Sequence, residues 1–123
     1  MATIEITGAN FQDTVQGDGI VVLDFLAEWC GPCKRFAPIF EQVSDEHPEA
    51  VFGKVDTEAN QELSAALQIQ SIPTLMLFRD GVLLARESGL LPAKALNELI
   101  AKAEELDMDE VRKQIEAEQA KEQ

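Results

Sequence analysis

The chain has 123 residues, close to the commonest size of a single domain and long enough to bury a core without disulfide or metal staples. Its formal net charge of −13 disfavours nucleic acid and anionic membranes as partners, because phosphate binding needs clustered Lys and Arg. No run approaches the ~18 apolar residues of a membrane span, and Met1-Ala2-Thr3-Ile4-Glu5 has no basic or apolar signal-peptide region, so the expected setting is the cytoplasm, where thiols stay reduced.

In chain order, Thr3–Thr7 alternates weakly and suits an edge strand. Ile20–Ala27 is an almost unbroken apolar run rich in β-branched residues, as expected for a strand covered on both faces. From Pro32 to about His47 the spacing of Phe36, Ile39, Phe40 and Val43 predicts a helix. Pro38 falls inside it and should kink it. Val51–Asp56 reads as a second buried strand, and Asn60–Leu67 as a short helix with Leu63, Ala66 and Leu67 on one face. Thr74–Arg79 and Val82–Ser88 are strands joined by Asp80-Gly81, a hairpin signal. Pro92 suits the first turn of a further helix, whose apolar stripe is Leu96, Leu99, Ile100 and Ala103. The order β-α-β-α-β-α-β-β-α is mixed α/β, with parallel crossovers early and an antiparallel hairpin late.

Residues 104–123 carry eight acidic and three basic side chains, net −5, which leaves −8 for residues 1–103. Within this stretch Asp107 and Glu110 fit an N-cap with an acidic third residue, and Leu106 with Val111 fits a hydrophobic staple. Leu106–Ala120 is therefore expected to be a separate helix or a bent continuation, docked by Val111 and Ile115. The division is a domain over 1–105 and a helical extension over 106–123.

The two cysteines, Cys30 and Cys33, are too few for a disulfide scaffold. Their spacing at a strand-to-helix junction places the first thiol at a helix N-terminus, where free N–H groups and the dipole favour an anion. That depresses a thiol pKa and makes the nucleophilic thiolate available. Three other readings compete. A closed zinc site needs four ligands, and Cys30, Cys33 and His47 are the whole Cys/His inventory, so no metal site is expected. A structural bridge over so short a loop contributes only about 2 kcal/mol. Inert buried thiols fit poorly with Gly31-Pro32, a pair suited to a turn at a surface, with Cys30 as its exposed nucleophile.

Asp24 lies mid-strand among apolar neighbours. A buried carboxylate is costly unless paired or functional, so Asp24 is a candidate proton acceptor for the second cysteine, against the plainer reading that it reaches solvent. Lys54 is its candidate partner, or else a surface lysine. Lys34 and Arg35 are either aids to the thiolate or surface residues.

Taken together, Asp24-Phe25-Leu26-Ala27-Glu28-Trp29-Cys30-Gly31-Pro32-Cys33-Lys34, Ala37-Pro38, Lys54-Val55-Asp56, Ser71-Ile72-Pro73-Thr74 and Gly89 resemble the thioredoxin family in order and spacing over about residues 3–105. The resemblance implies a thioredoxin fold: a mixed sheet of about five strands with helices on both faces, here with an extra C-terminal helix. It implies a protein-disulfide reductase with Cys30 as attacking thiolate, Cys33 as buried resolving thiol and Asp24 as the acid assisting it. Pro73 matches a cis-proline beside the disulfide, and Ile72 a residue whose backbone pairs with extended substrate. Trp29, Gly31, Pro32, Ile72 and Gly89 would form the docking surface. The chain would bind no cofactor, act as a monomer and draw electrons from NADPH through a flavoprotein thioredoxin reductase. Leu26 departs from the family, which often has an aromatic residue there, and the stretch after Glu105 extends past its usual end. Two alternatives remain: an oxidase or isomerase on the same fold, which Gly31-Pro32 argues against, and a binding or holdase module that uses the acidic tail.

Overall fold

A computed structural model describes residues 2–121. The expected domain and extension both reach past it, at residue 1 and at residues 122 and 123. Five strands form one sheet in the order β1-β3-β2-β4-β5: β1 Thr3–Glu5, β2 Ile20–Leu26, β3 Val51–Asp56, β4 Thr74–Arg79 and β5 Val82–Ser88. The helices are α1 Phe11–Val15, α2 Gly31–Glu46, α3 Gln61–Ala66, α4 Ala93–Glu105 and α5 Met108–Lys121. β1 and β2 flank β3 in parallel, whereas β4 runs antiparallel to both β2 and β5. This is the mixed α/β thioredoxin fold expected from the sequence, with the extra helix at its end.

β2 is central and buried from Ile20 to Phe25, which is why its sequence lacks polar alternation. Its side chains divide the core into two layers. Ile20 and Val22 pack with Phe36, Phe40 and Val43 of α2 and Leu96, Ile100 and Ala103 of α4. Val21, Leu23 and Phe25 pack on the opposite face with Val55 and Met76, against Phe11 of α1 and Leu63 of α3. By the same alternation Asp24 faces the α2 layer, between Val22 and Leu26.

α2 runs through Pro38 to Glu46, in line with the expected span to about His47. Other expectations need correction. In α3 the buried residue is Ser64, whose hydroxyl donates to the Asn60 carbonyl at 2.9 Å, while Ala66 is exposed. Pro92 is the N-cap of α4 and lies just before its first turn. The extension is a separate helix, as expected: Asp107 Oδ1 accepts from the N–H groups of Asp109 and Glu110 at 3.0 and 3.2 Å. Its buried anchor, however, is Met108, while Val111 is half-buried and Ile115 exposed. No described helix is long and apolar enough to cross a membrane.

The Asp80-Gly81 turn has positive φ at both positions, 52° and 83°, as a two-residue I′ hairpin requires. It also clamps the start of β2, because Asp80 Oδ1 accepts from Gly19 N at 2.7 Å and Asp80 N donates to Gly19 O at 3.0 Å.

Candidate active site

β2 ends at Leu26, and a short loop carries Ala27 to Trp29 to the first turn of α2. Cys30 is the N-cap, with φ −81° and ψ 115°, and its Sγ accepts from Cys33 N at 3.2 Å. Pro32 sits in the first turn, where its missing N–H costs nothing. No acidic residue occupies that turn, so nothing there opposes an anion at the cap. Cys30 and Cys33 form a disulfide with Cα atoms 5.2 Å apart, within the range a bridge spans without backbone movement.

The expected contrast between an exposed Cys30 and a buried Cys33 is not seen in the oxidised protein, where both are 4% exposed. Gly31 and Pro32 between them are exposed, and Trp29 stands out at 67%. What separates the sulfurs is the helix cap: Cys30 Sγ faces a backbone N–H.

Pro73 closes the site from the other side. The Ile72–Pro73 peptide bond is cis, and the Ile72 carbonyl oxygen lies 3.8 Å from Cys30 Sγ. Gly89, at φ 96°, donates its N–H to the Pro73 carbonyl at 2.8 Å, which ties the start of β4 to the end of β5. Ala27, Cys30 and Cys33 make a small apolar cluster with Leu26 and Ile72. Trp29, Ile72 and their neighbours Ser71 and Thr57 line a shallow cleft of about 200 Å³. Trp29 thus precedes the bridge, Gly31 and Pro32 open α2 within it, the Ile72 carbonyl faces Cys30 Sγ, and Gly89 is tied to Pro73.

The sequence did not signal Glu58, whose carboxylate accepts from Trp29 Nε1. It lies in a turn held by Asp56, whose Oδ1 accepts from Glu58 N at 2.9 Å and Ala59 N at 3.2 Å. Nothing in the spacing of Trp29 and Glu58 reveals that contact.

On the face of β2 turned toward α2, Asp24 is 1% exposed, and neither carboxylate oxygen has a hydrogen-bond partner among the described residues. Burial pushes its pKa up to about 7, against a smaller downward pull from the Lys54 charge. Lys54 is Asp24's neighbour in the β2–β3 register. It does not pair with Asp24, as the sequence suggested, but with Glu41 of α2 at 2.6 Å.

The thioredoxin family model matches residues 2–102. A protein described as putative thioredoxin 2 of Streptomyces coelicolor is 50% identical over 119 residues, covering 97% of this chain and 89% of its own. The thioredoxin of Alicyclobacillus acidocaldarius is 40% identical over 101 residues, 81% of this chain and 96% of its own. Among solved structures, a point mutant of thioredoxin from Halobacterium salinarum superposes with a TM-score of 0.79 at 33% identity, covering 85% of this chain and 93% of that one. Plasmodium falciparum thioredoxin gives 0.73 at 36% identity, covering 80% and 96%. Likeness of that extent, on the same fold and around a bridged cysteine pair, leads to one assignment: the chain belongs to the thioredoxin family and is a thiol–disulfide oxidoreductase.

Proposed function

We propose that this protein works in the reducing direction, passing two electrons from its Cys30/Cys33 dithiol to disulfides in other proteins. The cap geometry carries the exchange chemistry, since Cys30 Sγ accepts from Cys33 N–H at the start of a 16-residue helix. That geometry favours a thiolate at Cys30. The reducing direction rests on Gly31-Pro32, which resembles the reducing members of the family. The Cys30 thiolate attacks one sulfur of the substrate disulfide, forming a mixed disulfide and releasing the other sulfur as a thiolate that takes up a proton. Cys33 then loses its proton to the Asp24 carboxylate and attacks Cys30 Sγ. The second substrate sulfur leaves, and Cys30–Cys33 is oxidised. With a pKa of about 7, Asp24 suits both taking and returning a proton near neutral pH.

In this reading Ile72 offers its backbone to an extended substrate segment beside Pro73, and Trp29, Gly31, Pro32 and Gly89 supply the flat apolar surface around it. The oxidised pair is reset by a thioredoxin reductase that carries the flavin and uses NADPH, in the cytoplasm, with this chain acting as a cofactor-free monomer. The test is NADPH-coupled insulin reduction with a thioredoxin reductase. The wild type turns over, Cys30→Ser abolishes turnover, and Cys33→Ser accumulates mixed disulfides. Full activity in Cys30→Ser overturns the proposal, and a reduction potential near that of strong disulfide oxidants overturns the direction.

A further inference from the structure

Asp24 and Lys54 stand side by side on β2 and β3, on the face covered by α2. A buried carboxylate next to an ammonium group ordinarily draws it in, because pairing offsets part of the desolvation cost. Here that does not happen. Lys54 Nζ lies 2.6 Å from Glu41 Oε1, and Thr3 Oγ1 of β1 donates to the same oxygen at 2.8 Å. Both Asp24 oxygens are left without a hydrogen bond among the described residues.

The other charged groups facing this layer do not take the place of Glu41. Glu5 is opposite Lys54 across β1–β3 but is exposed. Asp56, two residues further along β3, directs Oδ1 at the N–H groups of Glu58 and Ala59. β4 contributes only the apolar Leu75 opposite Asp24. Glu41 is better placed than Asp24 to hold the lysine for two reasons. Its side chain retains 18% exposure, so its charge is less desolvated, and the Thr3 hydroxyl fixes it in advance.

We propose that Glu41 is a positioning residue of this active site: by holding Lys54 at its own carboxylate, it keeps Asp24 out of an ion pair and free to take the Cys33 proton. The inference rests on the role of Asp24 given above. Lys54 then acts on Asp24 only as a nearby charge, with Glu41 setting its position. A direct Lys54–Asp24 pair would stabilise the carboxylate and make it a weaker base toward the Cys33 thiol.

The experiment follows the Asp24 carboxyl by carbon-13 NMR through a pH titration of the oxidised protein. It compares wild type, Glu41→Gln, Lys54→Met and the double variant. Release of thionitrobenzoate from a Cys30 adduct is measured alongside, as a pH profile of the Cys33 step. Glu41→Gln is expected to lower the Asp24 midpoint by about one pH unit, as an opposite charge at short range does. The acid limb of the release profile should move the same way. With Lys54→Met already present, Glu41→Gln should move neither. An unchanged or raised Asp24 midpoint in Glu41→Gln, or the same shift with and without Lys54, overturns the inference. Asp24→Asn separates the two levels. If it leaves the release profile unchanged, the role of Asp24 fails; if it moves the profile while Glu41→Gln does not, only the role of Glu41 fails.

Discussion

Asp24 is the residue at which stability and function pull against each other. Its carboxyl titrates at about 7 in the folded protein against 3.8 when unperturbed, because burial disfavours the charged form more than Lys54 favours it. Between those values the unfolded chain has released a proton that the folded one retains. The protein therefore loses stability as pH rises, by about 1.4 kcal/mol per unit and about 4 kcal/mol in all. Asp24→Asn keeps the shape and removes the charge. Urea denaturation should find the variant more stable than wild type by up to about 4 kcal/mol at pH 8 and nearly equal at pH 4. An equal gain at both values would mean that the charge is not the cause. His47 gains a higher folded pKa from its partners. Burial lowers it, but Asn97 at 2.6 Å and Glu49 at 3.3 Å outweigh that and raise it. Its contribution is present at acid pH and fades as pH rises through its folded value. The sequence marked Asp24 as unusual, since one charge in an apolar strand is conspicuous. It pointed to the wrong partner for Lys54, because a strand pattern gives a face and a register but not the helix residue that closes over it.

At the scale of elements, two contacts invisible in the pattern hold the pieces in place. Gly53 lies in β3 between β1 and β2, and a Cβ there would come within 2.5 Å of Ile6 Cγ1 and 2.8 Å of Leu23 Cδ2. Both neighbours are fully buried, so Gly53→Ala should overpack that layer and cost about 1–3 kcal/mol, read as a lower denaturation midpoint with an unchanged m-value. Arg79, at the end of β4, points Nη1 at the carbonyls of Ala103, Glu104 and Leu106, at 2.8, 3.1 and 2.7 Å. These are the groups a helix C-terminus leaves unpaired, and a cation there also opposes the negative end of the dipole. Arg79→Met should destabilise the protein by about 1–3 kcal/mol and speed amide exchange in the last turn of α4 and through α5. Exchange unchanged in α5 would show that the helix is held without Arg79. Strand and helix positions were legible because their apolar periods of two and about 3.6 are local. The exception is α1, five residues long, whose place was implied by the order alone.

At the scale of the molecule, the chemistry and the extension sit at opposite ends of β2. Cys30 follows the C-terminal end of that strand, whereas α5 reaches Asp80 through Arg112 at 4.0 Å, and Asp80 holds Gly19 just before the strand begins. Seven extended residues separate the two ends by roughly 20 Å. Deleting residues 107–123 should therefore leave NADPH-coupled disulfide reduction unchanged within assay error. It should lower the melting temperature by a few degrees, because Met108 leaves its buried position. A marked loss of turnover would tie the acidic tail to the reductase or substrate. The sequence by itself determined the order of strands and helices, the redox pair, an acid set among apolar strand neighbours and the N-cap at Asp107, since each rests on neighbours within a few positions. Only the tertiary structure decided that Cys30 is as buried as Cys33 in the disulfide, that Glu41 takes Lys54 from Asp24, that Glu58 meets Trp29, and that Met108 and Arg79 anchor the end of the chain. Those outcomes depend on which side chains meet across the sheet and over its ends, where distance along the chain carries no information.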